Sequence, residues 1–85
     1  MTGKFAISRA GHDKGKVYVV ISADDKYVYL ADGKFKRSVL PKKKNVRHIQ
    51  IVNQTVADEL LVRIQKKESN IDDAIKYAIK QSNLI

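Results

Sequence analysis

The chain of 85 residues has no cysteine, no tryptophan, one proline and about half as many acidic as basic side chains. Without cysteine there is no disulfide to staple a small fold and no thiolate to hold zinc, which fits a reducing compartment. No apolar run approaches the ~20 residues that span a bilayer. The opening Met1-Thr2-Gly3-Lys4-Phe5 lacks the apolar core of a secretory signal. These absences lead to the expectation of a cytoplasmic protein with no membrane partner. Catalytic groups are scarce as well. His12 and His48 are the only histidines, so a metal site would have to recruit carboxylates at no recognised spacing. Asp13, Asp24, Asp25 and Asp32 fall in turn-like stretches, where aspartate commonly caps its own backbone. No serine or lysine has an activating neighbour, and no Gly-x-x-x-x-Gly-Lys loop occurs. The expectation is a non-enzyme with no cofactor and no metal.

What the chain does have is positive charge, unevenly placed. Residues 1–53 carry 12 Lys and Arg against 4 Asp and Glu, a net of +8, whereas residues 54–85 carry 5 against 5. Such segregation points to a polyanion-binding half and a neutral appendage, with nucleic acid the leading polyanion.

The first half alternates with period two. Strands are expected over Lys4–Ser8, Lys16–Ser22 and Tyr27–Ala31, with Phe5 and Ile7 on one face, Val17, Val19 and Ile21 on one face, and Val28 and Leu30 inward. Ala10-Gly11-His12-Asp13-Lys14-Gly15-Lys16 is a basic loop with a glycine near each end, able to present ammonium and backbone N–H groups to phosphate. Asp32-Gly33 signals a tight hairpin. A fourth strand is expected over Lys36–Leu40, stopped by Pro41, then a loop Lys42-Lys43-Lys44-Asn45 and a fifth strand Val46–Val52 with Ile49 and Ile51 inward. Five short strands about ten residues apart indicate a small antiparallel barrel. After Asn53 the period becomes helical. Val56, Leu60, Leu61 and Ile64 line one stripe behind a Thr55/Asp58 cap, with Glu59 four residues before Arg63. Ser69-Asn70 ends that helix, and Asn70 caps a second with Ile71, Ala74, Ile75, Ala78 and Ile79 as its stripe and Asp72 four before Lys76.

The glycine-flanked basic loop with Gly15, Lys16 and the alternating valines resembles the KOW motif of ribosomal proteins and NusG-type elongation factors. Gly3-Lys4-Phe5-Ala6-Ile7-Ser8, Tyr29-Leu30-Ala31-Asp32-Gly33 and Asn45-Val46-Arg47-His48-Ile49 extend the likeness to large-subunit ribosomal proteins of the fourteen-e type and small bacterial KOW-domain relatives. The resemblance covers roughly residues 3–53 and implies an SH3-like barrel that binds RNA. Residues 54–85 lie outside it as a helical appendage, packed on the barrel or on a partner, and depart from the long basic C-terminal parts of the ribosomal proteins.

The expected RNA-binding residues are Lys14 and Lys16 in the first loop, Lys36 and Arg37 on the fourth strand, Lys42, Lys43 and Lys44 in the loop after it, and Arg47 and His48 at the start of the fifth strand. Arginine forks suit phosphate and lysines act as point charges. At Arg47-His48-Ile49 relatives typically carry a basic residue and histidine, which the resemblance reads as an RNA contact. Tyr18, Tyr27, Tyr29 and Phe35 are expected to fill the barrel and the helix contact, with base stacking and a methyl-lysine cage as alternatives. The bound RNA is expected to be ribosomal or otherwise structured, with ribosomal or transcription proteins as further partners. The alternative function is a protein-interaction module on the translation or transcription machinery, the helical stripes serving as a docking or homodimer surface.

Overall fold

The structure is a computed structural model that describes all residues from Met1 to Ile85. Strands β1 (Lys4–Ser8), β2 (Val17–Ala23) and β3 (Tyr27–Ala31) form an antiparallel meander, followed by β4 (Lys42–Asn45), a 3₁₀ turn over Val46–His48 and β5 (Ile49–Thr55). Helices α1 (Asp58–Gln65) and α2 (Asp72–Gln81) complete the chain. One antiparallel sheet contains all five strands in the order β4-β3-β2-β1-β5.

That order fixes the sheet's shape. In a flat sheet the edges β4 and β5 would lie about 19 Å apart, four strand spacings. They are joined by only three residues of 3₁₀ turn, which rise about 6 Å. The sheet must therefore curl enough to bring the end of β4 near the start of β5, although these two edges do not pair and the sheet does not close into a barrel by hydrogen bonds. The 3₁₀ turn is pinned on both sides, Val46 donating to the Lys26 carbonyl (2.9 Å) and Arg9 to the His48 carbonyl (2.7 Å).

Curling gives the sheet two apolar faces. Inside the curl, Ala6, Tyr18, Val20, Val28 and Leu30 pack together, backed by Val46, Ile49 and Ile51. Outside it, Phe5, Val17, Val19 and Ala31 meet Leu60 and Ile64 of α1 and Ile71, Ile75 and Ile79 at and along α2. Strand β2 is thus buried on both sides, which is why Val17-Tyr18-Val19-Val20 is apolar without a break. The helical stripes are used up against the sheet.

The second half of the sheet departs from the expected layout. Residues 36–40 are not a strand. Asp32 Oδ1 accepts from the Lys34 and Lys36 amides (2.9 and 2.8 Å) and folds residues 32–36 into a closed turn. Asp72 of α2 then takes the Arg37 side chain (3.0 Å) and the Ser38 amide (2.8 Å). With its donors committed in this way, the segment is unavailable to a ladder. The fourth strand is instead Lys42–Asn45, opposite Tyr27–Leu30, and β5 begins only at Ile49, because Asn45 Oδ1 caps the Arg47 amide and turns the chain. The expected hairpin at Asp32-Gly33 is the start of a ten-residue connection, in which Gly33 adopts φ +78° against the α2 backbone at Asp72. Neither helix has the side-chain cap expected of it. Thr55 ends β5 and Asn70 precedes an uncapped Ile71. Lys67, at φ 58°, closes α1 ahead of Ser69. Arg63 pairs with Glu68 (2.9 Å) rather than Glu59, and Asp72 with Arg37 rather than Lys76.

Ile75 is fully buried between α2 and the sheet. Ile75→Ala is expected to cost about 2–5 kcal/mol and to lower the midpoint of a single cooperative urea transition. Separate melting of helices and sheet, with Ile75→Ala affecting only one step, would show that they do not share a core.

Candidate nucleic-acid interface

The β1–β2 loop is closed at its neck by Gly15 donating to the Ser8 carbonyl (2.8 Å) and Ser8 to the Lys16 carbonyl (2.9 Å). Gly11 and Gly15 take φ +86° and +89°, a region side-chain-bearing residues rarely enter. This path turns Asp13 back over the mouth of the curled sheet. Its carboxylate then receives four side-chain hydrogen bonds: Ser8 Oγ (2.8 Å) and Lys44 Nζ (2.7 Å) on Oδ1, Tyr18 Oη (2.7 Å) and Lys42 Nζ (2.9 Å) on Oδ2. Lys44 also donates to the Ala10 carbonyl (2.7 Å). Asp13 and Lys44 keep only 10% of their side-chain surface in water. Asp13 is therefore not the backbone cap expected of a turn aspartate. Asp24 and Asp32 do fill that role.

Burial pushes the Asp13 carboxyl upward, but hydrogen bonds from Lys44, Lys42, Tyr18 and Ser8 outweigh it and hold the group far below its ordinary value of 3.8. Tyr18 moves the other way: burial, the bond to Asp13 and the negative charges of Asp13 and Asp32 all raise its phenol. At Asp32, burial is overcome by Lys16 and by the Lys36 and Lys34 amides, and the carboxyl is again lowered.

These pairings divide the nine expected RNA-binding residues. Lys42 and Lys44 alternate on β4 with their side chains on Asp13, so they are not loop cations projecting to solvent. Lys16 pairs with Asp32 at 2.6 Å, and Arg37 with Asp72 at 3.0 Å in the β3–β4 connection. Lys43, between the two inward lysines, faces the other way, with its ammonium 4.2 Å from the centre of the Tyr27 ring. Lys14, Lys36, Arg47 and His48 have no carboxylate partner, Lys43 makes no ion pair but acts on the Asp24 carboxyl through its charge, and all five are exposed. Arg47 and His48 stand in the 3₁₀ turn, because the chain has not yet entered β5.

One further cation belongs with them. Arg9 is exposed and unpaired, and its amide is bonded to His48. Arg9, Arg47 and His48 therefore adjoin, next to the loop that carries Lys14. The sequence offers little sign of this, because Arg9 is a lone base at a strand end. Of the aromatic residues, Tyr18 is buried and Tyr27 and Tyr29 are half-buried, as expected. Phe35 is not: it stands 71% exposed at the tip of the Asp32 turn. No three His, Cys, Asp or Glu side chains group as metal ligands, and no helix is long and apolar enough to cross a membrane. The chain matches no protein-family model and no curated protein at a significant level.

Asp13→Asn is expected to destabilise the fold by about 3 kcal/mol, since Lys44 is left buried without its counter-charge. The wild type should also lose stability as pH falls. A carboxyl lowered in the folded state contributes fully above its unfolded value of 3.8 and less at each step toward its folded one. Denaturation midpoints between about pH 5 and pH 2 should therefore drop more steeply in wild type than in Asp13→Asn. Equal slopes would remove the ionic role assigned to Asp13.

Proposed function

We propose that the protein binds RNA by its phosphate backbone, through a KOW-type SH3-like barrel whose unpaired cations include those of the β1–β2 loop and the 3₁₀ turn. The observation that carries this reading is the neighbouring set Arg9, Arg47 and His48 beside Lys14, exposed and free of carboxylates. Support for the barrel comes from edge strands joined by a single 3₁₀ turn around an enclosed apolar interior. The positive φ of Gly11 and Gly15 supports the motif on which the resemblance rests.

Phosphate contacts of this kind set affinity and orientation, and RNA shape rather than base edges sets preference. Arg9 and Arg47 offer planar forks to phosphate oxygens, while Lys14, Lys36 and Lys43 act as point charges. If these five cations each meet a phosphate, log K should fall against log[salt] with a slope of about −3.5 to −4.5. Titration of the purified protein with a structured RNA at several salt concentrations measures that slope. Binding indifferent to salt, or purification with a stoichiometric protein partner and no nucleic acid, would favour the protein-interaction function instead.

A further inference from the structure

Phe35 differs from an ordinary surface hydrophobic residue in how firmly it is held. Single exposed apolar side chains are common and need no explanation. Here the ring sits on a turn closed by four bonds: Asp32 Oδ1 takes the Lys34 and Lys36 amides, and the Lys36 carbonyl takes the Asp32 and Gly33 amides (2.9 and 3.2 Å). Behind it, Gly33 lies so close to the α2 backbone that no Cβ fits, and Asp72 clamps Arg37 and Ser38. The ring is 71% exposed and two ammonium groups lie over it, Lys16 Nζ at 4.8 Å and Lys34 Nζ at 5.1 Å from its centre, Lys16 being paired with Asp32. An exposed aromatic ring on an ordered turn, with the ammonium of Lys34 at hand, offers what an unpaired base with its phosphate requires: a π-surface on which the base can replace the mobile lysine heads, and charge that then reaches its backbone. Because the turn is already ordered, little conformational entropy is lost on binding.

A relay of contacts runs from the turn to the cations proposed to bind RNA. Lys16 links Phe35 to the Tyr18 ring (5.4 Å), Tyr18 and Lys44 meet on Asp13, Lys44 reaches Ala10, and Arg9 bonds to His48. We propose that Phe35 stacks an unpaired base of the bound RNA, so that the protein prefers RNA with a single-stranded segment over a continuous duplex. This inference rests on the phosphate-binding reading and adds a second, base-contacting site to it.

The chain has no tryptophan, so Phe35→Trp introduces a single fluorophore at the proposed contact, and the exposure of the site keeps the fold intact. A single-stranded oligonucleotide should quench this fluorescence at low salt and release it at high salt, while a duplex of equal length quenches far less. Phe35→Ala should weaken single-strand binding by about 5- to 100-fold and leave duplex binding nearly unchanged. Single-strand affinity unaltered in Phe35→Ala, or saturating RNA that leaves the tryptophan unquenched, would overturn the stacking site while the backbone reading stands. If neither wild type nor variant binds RNA at low salt, both readings fail together. Val39 and Leu40 on the same connection are 57% and 79% exposed. A blue-shifted response to phosphatidylserine vesicles with none to RNA would therefore overturn the proposal in favour of a lipid surface.

Discussion

A carboxylate drawn out of water is stable only if its lost hydration is replaced bond for bond. Asp13 meets that condition with four donors, two on each oxygen. Those donors come from the end of β1, the start of β2 and two positions of β4, so a single group ties the first, second and fourth strands at the mouth of the curl. Tyr18, one of the four donors, belongs to the apolar interior together with Val28 and Leu30. The network joins that interior to the β1–β2 loop. It also sets which lysines are held inside and which remain available to a partner.

The electrostatics of the surface follow from this division. The seventeen Lys and Arg residues overstate the cations free to meet an incoming polyanion, because Lys16, Lys42, Lys44 and Arg37 already have carboxylates of their own chain. The Lys16–Asp32 and Arg37–Asp72 pairs cancel and act beyond about 10 Å only as weak dipoles, while Asp13 neutralises one of the two charges that Lys42 and Lys44 bring to it. The effective field comes from cations with no such partner, and the arginines among them lie where β1 ends and the 3₁₀ turn runs past it. Packing the helices against the outer face leaves this end of the sheet uncovered.

The first half of the fold was legible in the sequence because each residue there obeys one rule at a time. Val17, Val19 and Ile21 alternate with Tyr18 and Val20, glycines mark the loop, and the change of period after Asn53 announces the helices. Lys42-Lys43-Lys44-Asn45 was not legible as a strand. Three consecutive charges read as solvent-facing, and the inward turn of Lys42 and Lys44 depends on a carboxylate some thirty residues earlier in the chain. Residues 36–40 misled for the opposite reason, since their moderate β-propensity is overridden by caps from Asp32 and Asp72. The basic character of the site could be read from the charge asymmetry. Its membership could not: Arg9 joins, and four of the nine expected residues are tied into ion pairs, through pairings between distant segments.

If RNA binds as proposed, Asp13 withholds Lys42 and Lys44 from it while the cations at the 3₁₀ turn make the contacts. The most direct test compares Lys44→Gln with the double variant Arg9→Gln, Arg47→Gln, measuring both denaturation midpoint and the salt dependence of RNA binding. Lys44→Gln should lower the midpoint and keep the salt slope, whereas the double variant should keep the midpoint and make the slope shallower by about 1.4–1.8. A reduced slope in Lys44→Gln together with an unchanged slope in the double variant would contradict it.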